Sequence, residues 1–230
     1  MAKIAALLEG STDDSSLAQR ICEVGKVLLN VEGMSLSIVV HKVLNSEVGT
    51  SKEYLFLDEQ QFTFGQGPTF DASLSENPVE ASNLDSHGDR NRWPIFAPIA
   101  SSKGIHSITA YPLRSGNSSL GVITAYRKSQ LELSPSEYVD GLTLSVVASN
   151  LLLMKLSGNM DPDLQEILGP TMQDQSIIHL ASGMVAEQLN ISIIEAMVRI
   201  RAHAYKTDQP LSLVSNKIIT RQLQLDAEEK

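Results

Sequence analysis

The side chains with the clearest capacity for chemistry lie near the C-terminal end of the sequence. They are cations that can contact phosphate groups and aromatic rings that can stack on unpaired bases, which together are typical of an RNA-binding surface. The cations are Arg199, Arg201, Lys206 and Arg221, and the rings are His203 and Tyr205. Two alternatives stay open, because the same cations suit a solvated helix surface and the ring of Tyr205 equally suits the edge of a helical core.

A second group of candidate residues surrounds the single tryptophan. Trp93 and Phe96 flank a proline, and aromatic rings with polar neighbours are typical of small-molecule sites. Asp89 and Arg92 stand beside them in a charged segment that is suited to gripping an anionic ligand. The alternative is a lid helix packed on a sheet, with these charges exposed to solvent and contributing little.

No catalytic or metal-binding motif occurs in the sequence. The five histidines do not have the spacing of a metal site, and neither a phosphate-binding glycine loop nor a dinucleotide fingerprint is present. Cys22 is the only cysteine, which excludes an internal disulfide and a cysteine-based zinc site, and it suits a buried apolar position. We therefore expect a protein that is not an enzyme and has no metal, and no motif identifies a cofactor.

The composition limits the class of protein. The chain has 230 residues, 42% of them hydrophobic and 20% charged, which is ordinary for a globular protein of one large or two modest domains. No apolar run approaches the roughly 18–20 residues of a membrane span, and the first residues, MAKIAALLEGSTDD, do not form a signal peptide. These features predict a cytoplasmic protein with no membrane partner.

The net charge of −9 argues against a general polyanion binder. The charge is unevenly distributed, however. Residues 176–225 contain five Lys and Arg against three Asp and Glu, a balance of +2, whereas acidic residues flank this segment on both sides. The sequence thus predicts a weakly basic unit between acidic flanks.

Residues 176–225 contain three consecutive helical patterns. Asn190 suits the left-handed end of the first helix, Ser192 with Glu195 forms a capping-box pattern for the second, and Pro210 suits the first turn of the third. Three apolar helix faces as short as these are shielded from water only by packing against each other, which predicts a compact three-helix bundle. The predicted core positions are Ile177, Ile178, Ala181, Met184, Val185, Gln188, Ile193, Met197, Ile200, Ala204, Leu211, Val214, Ile218 and Leu223.

This bundle resembles an ANTAR domain, the RNA-binding output module of bacterial antitermination regulators, in its actinobacterial form. The matching motifs are ASG at 181–183, EA at 195–196, IRAHA at 200–204 and LSLVS at 211–215. Ala181 and Gly183 are small residues at neighbouring helix positions, which suits either close packing of helices or a close approach of RNA. The resemblance favours the second and implies that the domain binds paired RNA stem-loops as a homodimer.

Two positions depart from the ANTAR pattern. Ser182 stands where the family often has lysine, a cation that could meet a phosphate, and Ser215 stands where the family has alanine.

The first 160 residues contain a mixed pattern of helices and strands. A helix is predicted at 5–30, strands at 35–42, 54–57, 106–113 and 120–126, and a long helix at 135–156, with an irregular insert at 62–103. We expect strand 54–57 to pair with strand 35–42, and the last two strands to form a hairpin around the polar turn at 114–119. The apolar face of the long helix suggests pairing with a partner subunit.

The order of these elements resembles a GAF domain over residues 12–157. Local matches are GQGP at 65–68, PVEASNLD at 78–85 and RWPIF at 92–96. The resemblance implies an antiparallel sheet flanked by helices that holds a small ligand or serves as a dimerisation scaffold. Residues 158–175 then form a jointed helical linker, interrupted by glycine and proline.

Together these patterns predict an α+β chain that is a GAF–ANTAR transcription antitermination regulator. The GAF-like domain at 12–157 would sense a ligand or partner and control the ANTAR-like domain at 176–225. The alternative is a non-catalytic ligand-binding or protein-interaction regulator whose helical tail does not bind RNA, which the two serine departures and the acidic net charge favour.

Overall fold

The computed structural model describes residues 17–40, 43–130, 132–157, 171–207 and 209–225. The chain divides into two compact units, Met1–Ile167 and Leu168–Lys230. The division falls inside the predicted linker 158–175, of which residues 158–170 lie outside the described residues. None of the described helices has both the length and the apolar character needed to cross a membrane.

The described part of the N-terminal unit contains a five-stranded sheet and helices on both of its faces. Its helices are α1 Leu17–Leu28, α2 Lys52–Phe64, α3 Pro68–Leu74, α4 His87–Arg92, α5 Phe96–Ser102 and α6 Pro135–Ser157. Its strands are β1 Gly33–Val40, β2 Val43–Gly49, β3 Val79–Ala81, β4 Ser107–Ser115 and β5 Ser118–Arg127. The predicted irregular insert thus includes three short helices and one edge strand. Residues 5–16 of the predicted first helix lie outside the described residues.

All strand pairs in the sheet are antiparallel, in the order β2-β1-β5-β4-β3. The central pairs bring Leu36 opposite Ile123 and Ile123 opposite Tyr111. The predicted hairpin is confirmed as β4 and β5, whose turn contains Gly116 with a φ of 56°. Glycine adopts this left-handed conformation without strain.

The predicted strand at 54–57 is wrong. These residues lie in helix α2, and β1 pairs instead with β2 and β5. Tyr54, Leu57, Asp58 and Gln61 are buried at spacings of three and four, which is the helical period, and Gly65 ends the helix with a φ of 62°. A short apolar run such as YLFL is compatible with a strand or a helix. The buried residues beyond the run, which continue the helical spacing, distinguish the two.

The two faces of the sheet carry different cores. Met34 and Leu36 of β1 join Ile123 and Tyr111 in an apolar core under α1 and α6. Ser35 and Ser37, which alternate with them, point to the opposite face, where α2, α3 and α5 pack. This second face carries polar as well as apolar side chains.

The described part of the C-terminal unit contains three helices that pack on one another, namely α7 Thr171–Leu189, α8 Ile193–Lys206 and α9 Leu211–Ile219. Asn190 has a φ of 53°, and the hydroxyl of Ser192 accepts a hydrogen bond from the amide of Glu195 at 3.1 Å, as predicted. Pro210 is the residue just before α9 rather than within its first turn.

Most of the predicted core positions of the C-terminal unit are buried. The fully or nearly buried ones are Ile178, Ala181, Val185, Met197, Ile200, Ala204, Leu211, Val214 and Ile218. Two predictions are wrong, because Gln188 and Ile193 are exposed. Ile193 is the first residue of α8, at the end of the helix, and it is 57% exposed.

Candidate functional sites

A network of buried polar side chains lies between helices α2 and α3 and the sheet. The Nε2 atom of Gln61 donates to Thr69 Oγ1 at 2.8 Å, and the amide of Thr69 donates to Gln61 Oε1 at 2.7 Å. Thr69 Oγ1 lies 3.0 Å from Thr124 Oγ1, and the hydroxyl of Tyr126 donates to Asp58 Oδ1. The network therefore links two helices to strand β5.

Gly67 makes this network possible. It has a φ of 119° between α2 and α3, a conformation that side chains rarely adopt, and a Cβ atom there would clash with Gln61. The chain can therefore turn tightly enough for Gln61 and Thr69 to exchange two hydrogen bonds.

The electrostatic centre of the network is the carboxylate of Asp58, which is 1% exposed. Burial raises its pKa to about 6, although hydrogen bonds from Tyr126 and Thr69 counteract part of the rise. Burial and the neighbouring carboxylate also raise the pKa of Tyr126. Sequence reasoning missed this network, because it joins residues far apart in the chain and follows no motif.

The predicted ligand residues around Trp93 do come together, and internal contacts occupy their polar atoms. Trp93 and Phe96 are buried, and the indole Nε1 donates to Asp71 Oδ2 at 3.0 Å. The guanidinium of Arg92 lies 4.1 Å from the centre of the Trp93 ring and 3.8 Å from Asp89. Partial burial raises the pKa of Asp89. The two rings are packed as the alternative interpretation expects, whereas Asp89 is partly buried and not exposed. Binding of a ligand at these residues stays a prediction.

The predicted RNA-binding residues of the C-terminal unit lie in different environments. Ala181 is fully buried between helices, whereas Gly183, Lys206 and Arg221 are exposed, and Tyr205 is 64% exposed. Arg199, Arg201 and His203 are half-buried. Arg199 forms an ion pair with Glu195 at 3.6 Å, and burial lowers the pKa of Arg201 to about 10.

The residues on α8 divide into two groups around its buried face. Successive residues of a helix are about 100° apart. This spacing places Arg199, His203 and Lys206 to one side of the buried stripe and Arg201 with Tyr205 to the other. The set therefore flanks the helix instead of forming one patch.

The two serine departures both lie inside the unit. Ser182 is fully buried, and its hydroxyl donates to the carbonyl of Ile178 at 2.7 Å, while Ser215 is also fully buried. Both serines thus occupy buried positions of the bundle rather than its exposed surface.

A groove of about 600 Å³ opens on the surface of the C-terminal unit. Gly183 of α7 and Arg221, which follows α9, both line it, so two of the predicted RNA-binding residues meet there. Its apolar lining consists of Leu180, Met184, Ile218 and Leu223.

Backbone geometry after α9 builds one wall of this groove. Arg221 has a φ of 57°, and the amides of Gln222 and Leu223 donate to the carbonyl of Lys217 at 2.8 and 3.1 Å. Gln188 then donates through Nε2 to the carbonyl of Leu225 at 2.9 Å, and Leu225 is buried. The wall is thus held by hydrogen bonds at both ends. Sequence periodicity could not show it, because it lies outside the helices.

Among the residues that the structure describes, no group of three or more His, Cys, Asp or Glu side chains is placed to hold a metal ion. The described residues therefore offer hydrogen bonds, cations and apolar contacts for binding.

Comparison with solved structures identifies the fold of the N-terminal unit. The GAF domain of a phosphoenolpyruvate-protein phosphotransferase from Acinetobacter is 14% identical with a TM-score of 0.52, and the alignment covers 70% of this chain and 95% of that domain. The GAF domain of the corresponding protein from Coxiella burnetii is also 14% identical with a TM-score of 0.52, covering 68% and 92%. Neither a protein-family model nor a curated protein matches the sequence.

The N-terminal unit therefore has the GAF fold, as predicted. Identities this low concern the fold alone.

Proposed function

We propose that the chain is a signal-responsive RNA-binding regulator of transcription antitermination. In this proposal the GAF-fold unit receives the signal and the C-terminal helices bind RNA in the manner of an ANTAR domain. The observation that carries the proposal is the groove of the C-terminal unit, where Gly183 and Arg221, two residues chosen from the ANTAR-like pattern and its charge, line one surface.

The surface of α8 adds support. Tyr205 and Lys206 are exposed near its C-terminal end, where the ring can stack on a base and the cation can contact a phosphate. Lys217 on α9 adds a further positive charge to the unit, although its ammonium group also donates to Gln209 Oε1 at 2.8 Å. The local balance of +2 contrasts with the acidic chain as a whole.

A homodimer follows from the same proposal, because a paired stem-loop target requires two output units. Helix α6 carries the exposed apolar residues Val139, Val146 and Met154, at spacings of seven and eight residues. Such a stripe lies along one side of a helix and suits pairing with a second copy.

The signal in this proposal is a small molecule or partner protein bound by the GAF-fold unit, and catalysis has no part in it. The predicted contacts are Asp89, Arg92, Trp93 and Phe96, whose internal contacts a ligand would have to replace. Trp93 is the only tryptophan, so its fluorescence reports on this place directly. We expect a bound ligand to shift that emission, and a compound library screened against the full chain by tryptophan fluorescence checks this expectation.

The test of RNA binding starts from a pool of RNAs carrying two stem-loops with randomised loops. We expect the full chain to retain a selected subset, and the logarithm of its affinity to fall linearly with the logarithm of salt concentration. Replacing Arg221 or Arg201 with glutamine removes one cation and should reduce that slope by about 1. Lys52→Gln, an exposed cation of the N-terminal unit, is the matched control and should leave the slope unchanged.

Circular dichroism should accompany the Arg201→Gln variant, because this side chain is half-buried. Equal affinity and equal salt slope in both arginine variants would contradict the assignment of these residues.

The second candidate is a regulator whose helical tail binds no RNA. The ion pair between Arg199 and Glu195 and the complete burial of Ala181 favour it, since both reduce the surface offered to RNA. Failure of the full chain to retain any RNA at low salt would select this candidate.

A further inference from the structure

Gly183 lies inside helix α7, where the fold of the unit does not need a glycine. Its φ is negative, and a Cβ atom placed there would meet nothing within 4 Å among the described residues. By contrast, a Cβ at Gly25 of α1 would lie 2.5 Å from Met34 Sδ, and one at Gly141 of α6 would clash with Tyr111. Glycine inside a helix is destabilising relative to alanine, so the open backbone at Gly183 calls for an explanation outside the unit.

The groove beside Gly183 supplies such an explanation, because it could bind a partner molecule. Leu180, which is 57% exposed, and Met184 line it from α7, while Ile218 and Leu223 line it from the other wall. A surface of helix backbone and flexible apolar side chains suits a flat, weakly polar ring. The volume of about 600 Å³ leaves room for a whole nucleotide.

The polar groups of the groove restrict what can bind there. Arg221 contributes a cation, Glu187 a carboxylate and Gln224 an amide. The carboxylate of Glu187 would repel a run of several phosphates, whereas the single cation of Arg221 suits one phosphate. An ionised carboxylate only accepts hydrogen bonds, so Glu187 favours a ring edge that carries N–H donors.

We infer that the groove receives one unpaired nucleobase of the bound RNA. The base lies against the exposed backbone at Gly183, its donor edge faces Glu187, and its phosphate lies beside Arg221. This inference rests on the proposed RNA-binding function and deepens it, because it separates the place that reads a base from the cations that contact phosphates elsewhere. Unpaired bases held on apolar surfaces and read along their edges are the usual basis of sequence-specific RNA recognition.

The test uses the full chain, the RNA obtained by selection, and two substitutions at one position. Gly183→Leu fills the groove with a side chain that favours helix, and we expect RNA affinity to fall about tenfold or more, as for the loss of one stacked base. Gly183→Ala adds only a methyl group to the same helix and should stay within about threefold of the parent chain. Melting temperatures of both variants confirm that each is folded.

Abasic substitutions in the RNA then show which nucleotide occupies the groove. For the parent chain, removal of one particular loop base should weaken binding about tenfold, and the same removal should have no further effect on Gly183→Leu. Glu187→Gln should reduce the preference between bases at that one position and leave the other positions unchanged.

The outcomes separate this inference from the proposed function. If the chain binds RNA and Gly183→Leu binds it as tightly as the parent, the groove has another occupant, such as a helix of a partner protein, and the inference is overturned. If the chain binds no RNA, the proposed function fails. The groove is then tested alone by titrating guanosine and adenosine monophosphate into ¹⁵N-labelled full chain. Shifts of the Gly183 and Arg221 amides support a nucleotide site, and unchanged amides overturn it.

Discussion

In the N-terminal unit the carboxylate of Asp58 lies at the centre of a closed hydrogen-bonded network, whereas in the C-terminal unit Glu187 and Arg221 lie at the edge of an open groove. Both regions combine polar side chains with helices and apolar surface. In the closed region the polar groups hydrogen-bond chiefly to each other, although Asp58 Oδ2 is buried without a hydrogen-bond partner among the described residues. These groups therefore affect stability and its dependence on pH. In the open region the polar groups face solvent, so they are suited to a partner.

The glycines differ in the same way. Gly33, Gly67 and Gly141 of the N-terminal unit each lie where a side chain would strike a buried neighbour. Gly183 of the C-terminal unit lies against open space. A glycine can therefore mark either a tightly packed position or an exposed helix surface. The atoms that surround it show which of the two applies.

The largest expected effect concerns the closed region and pH. The pKa of Asp58 in the folded chain, about 6, lies above its ordinary value of 3.8, so the carboxyl group binds its proton more tightly when folded. Its contribution to stability is therefore complete below about pH 4 and is lost as the pH rises through 6, a change of about 3 kcal/mol. The difference in unfolding free energy between the parent chain and Asp58→Asn, from urea titrations between pH 4 and 7, should fall by most of this amount.

Glu137→Gln is the control, and its effect has the opposite sign. Hydrogen bonds from the hydroxyl and amide of Ser134 lower the pKa of Glu137, and Arg127 lies 3.0 Å away, so its stabilising contribution is present above its ordinary pKa of 4.5 and is lost as the pH falls below that value. Between about pH 5.5 and 7 this variant should differ from the parent by a constant, whereas Asp58→Asn should not. A similar pH trend of both variants in this window would contradict the burial of Asp58 as the cause.

The next effect compares two glycines inside helices. Gly141→Ala forces a methyl group against the buried ring of Tyr111 and should destabilise the chain by about 2 kcal/mol. Gly183→Ala meets no neighbour and should stabilise its unit by up to about 1 kcal/mol. Urea unfolding, followed separately for each unit if the transitions differ, measures both. Destabilisation by Gly183→Ala would show that the position is packed and would remove the argument for the groove.

The smallest expected effect compares the helix caps of the two units. The hydroxyl of Ser86 accepts from the amide of Asp89, and that of Ser192 accepts from the amide of Glu195, each at 3.1 Å. Alanine at either position should cost about 1 kcal/mol, since both caps are near the surface and act locally. Thermal unfolding of the two variants checks this. A much larger loss at Ser192 would indicate that the entry to α8 depends on more than its cap.

Local signals predicted much of the fold. Turn residues between β4 and β5, the cap at Ser192 and the left-handed Asn190 each act over a few residues, so the sequence displays them directly. The strand predicted at 54–57 failed because its apolar run was too short to establish a period. The buried residues Asp58 and Gln61, which extend the helical spacing, distinguish the two structures.

The sites were harder to predict than the fold. Thr69 and Tyr126 are 57 positions apart in the sequence and are linked in the fold through hydrogen bonds to Asp58 and Gln61. No local sequence pattern predicts these contacts. The groove depends on the chain after α9, where Arg221 turns the backbone. Its cationic residue was predicted from charge, whereas its apolar lining appears only once α7 and α9 are packed.

Photochemical crosslinking of the full chain to its selected RNA tests the central claim most directly, because it locates the contact without altering the protein. Short-wavelength irradiation and mass spectrometry of the digested complex should yield RNA-linked peptides from residues 176–225, in particular those containing Met184 or the exposed Tyr205. RNA linked only to peptides of the N-terminal unit would contradict the assignment of RNA binding to the C-terminal helices.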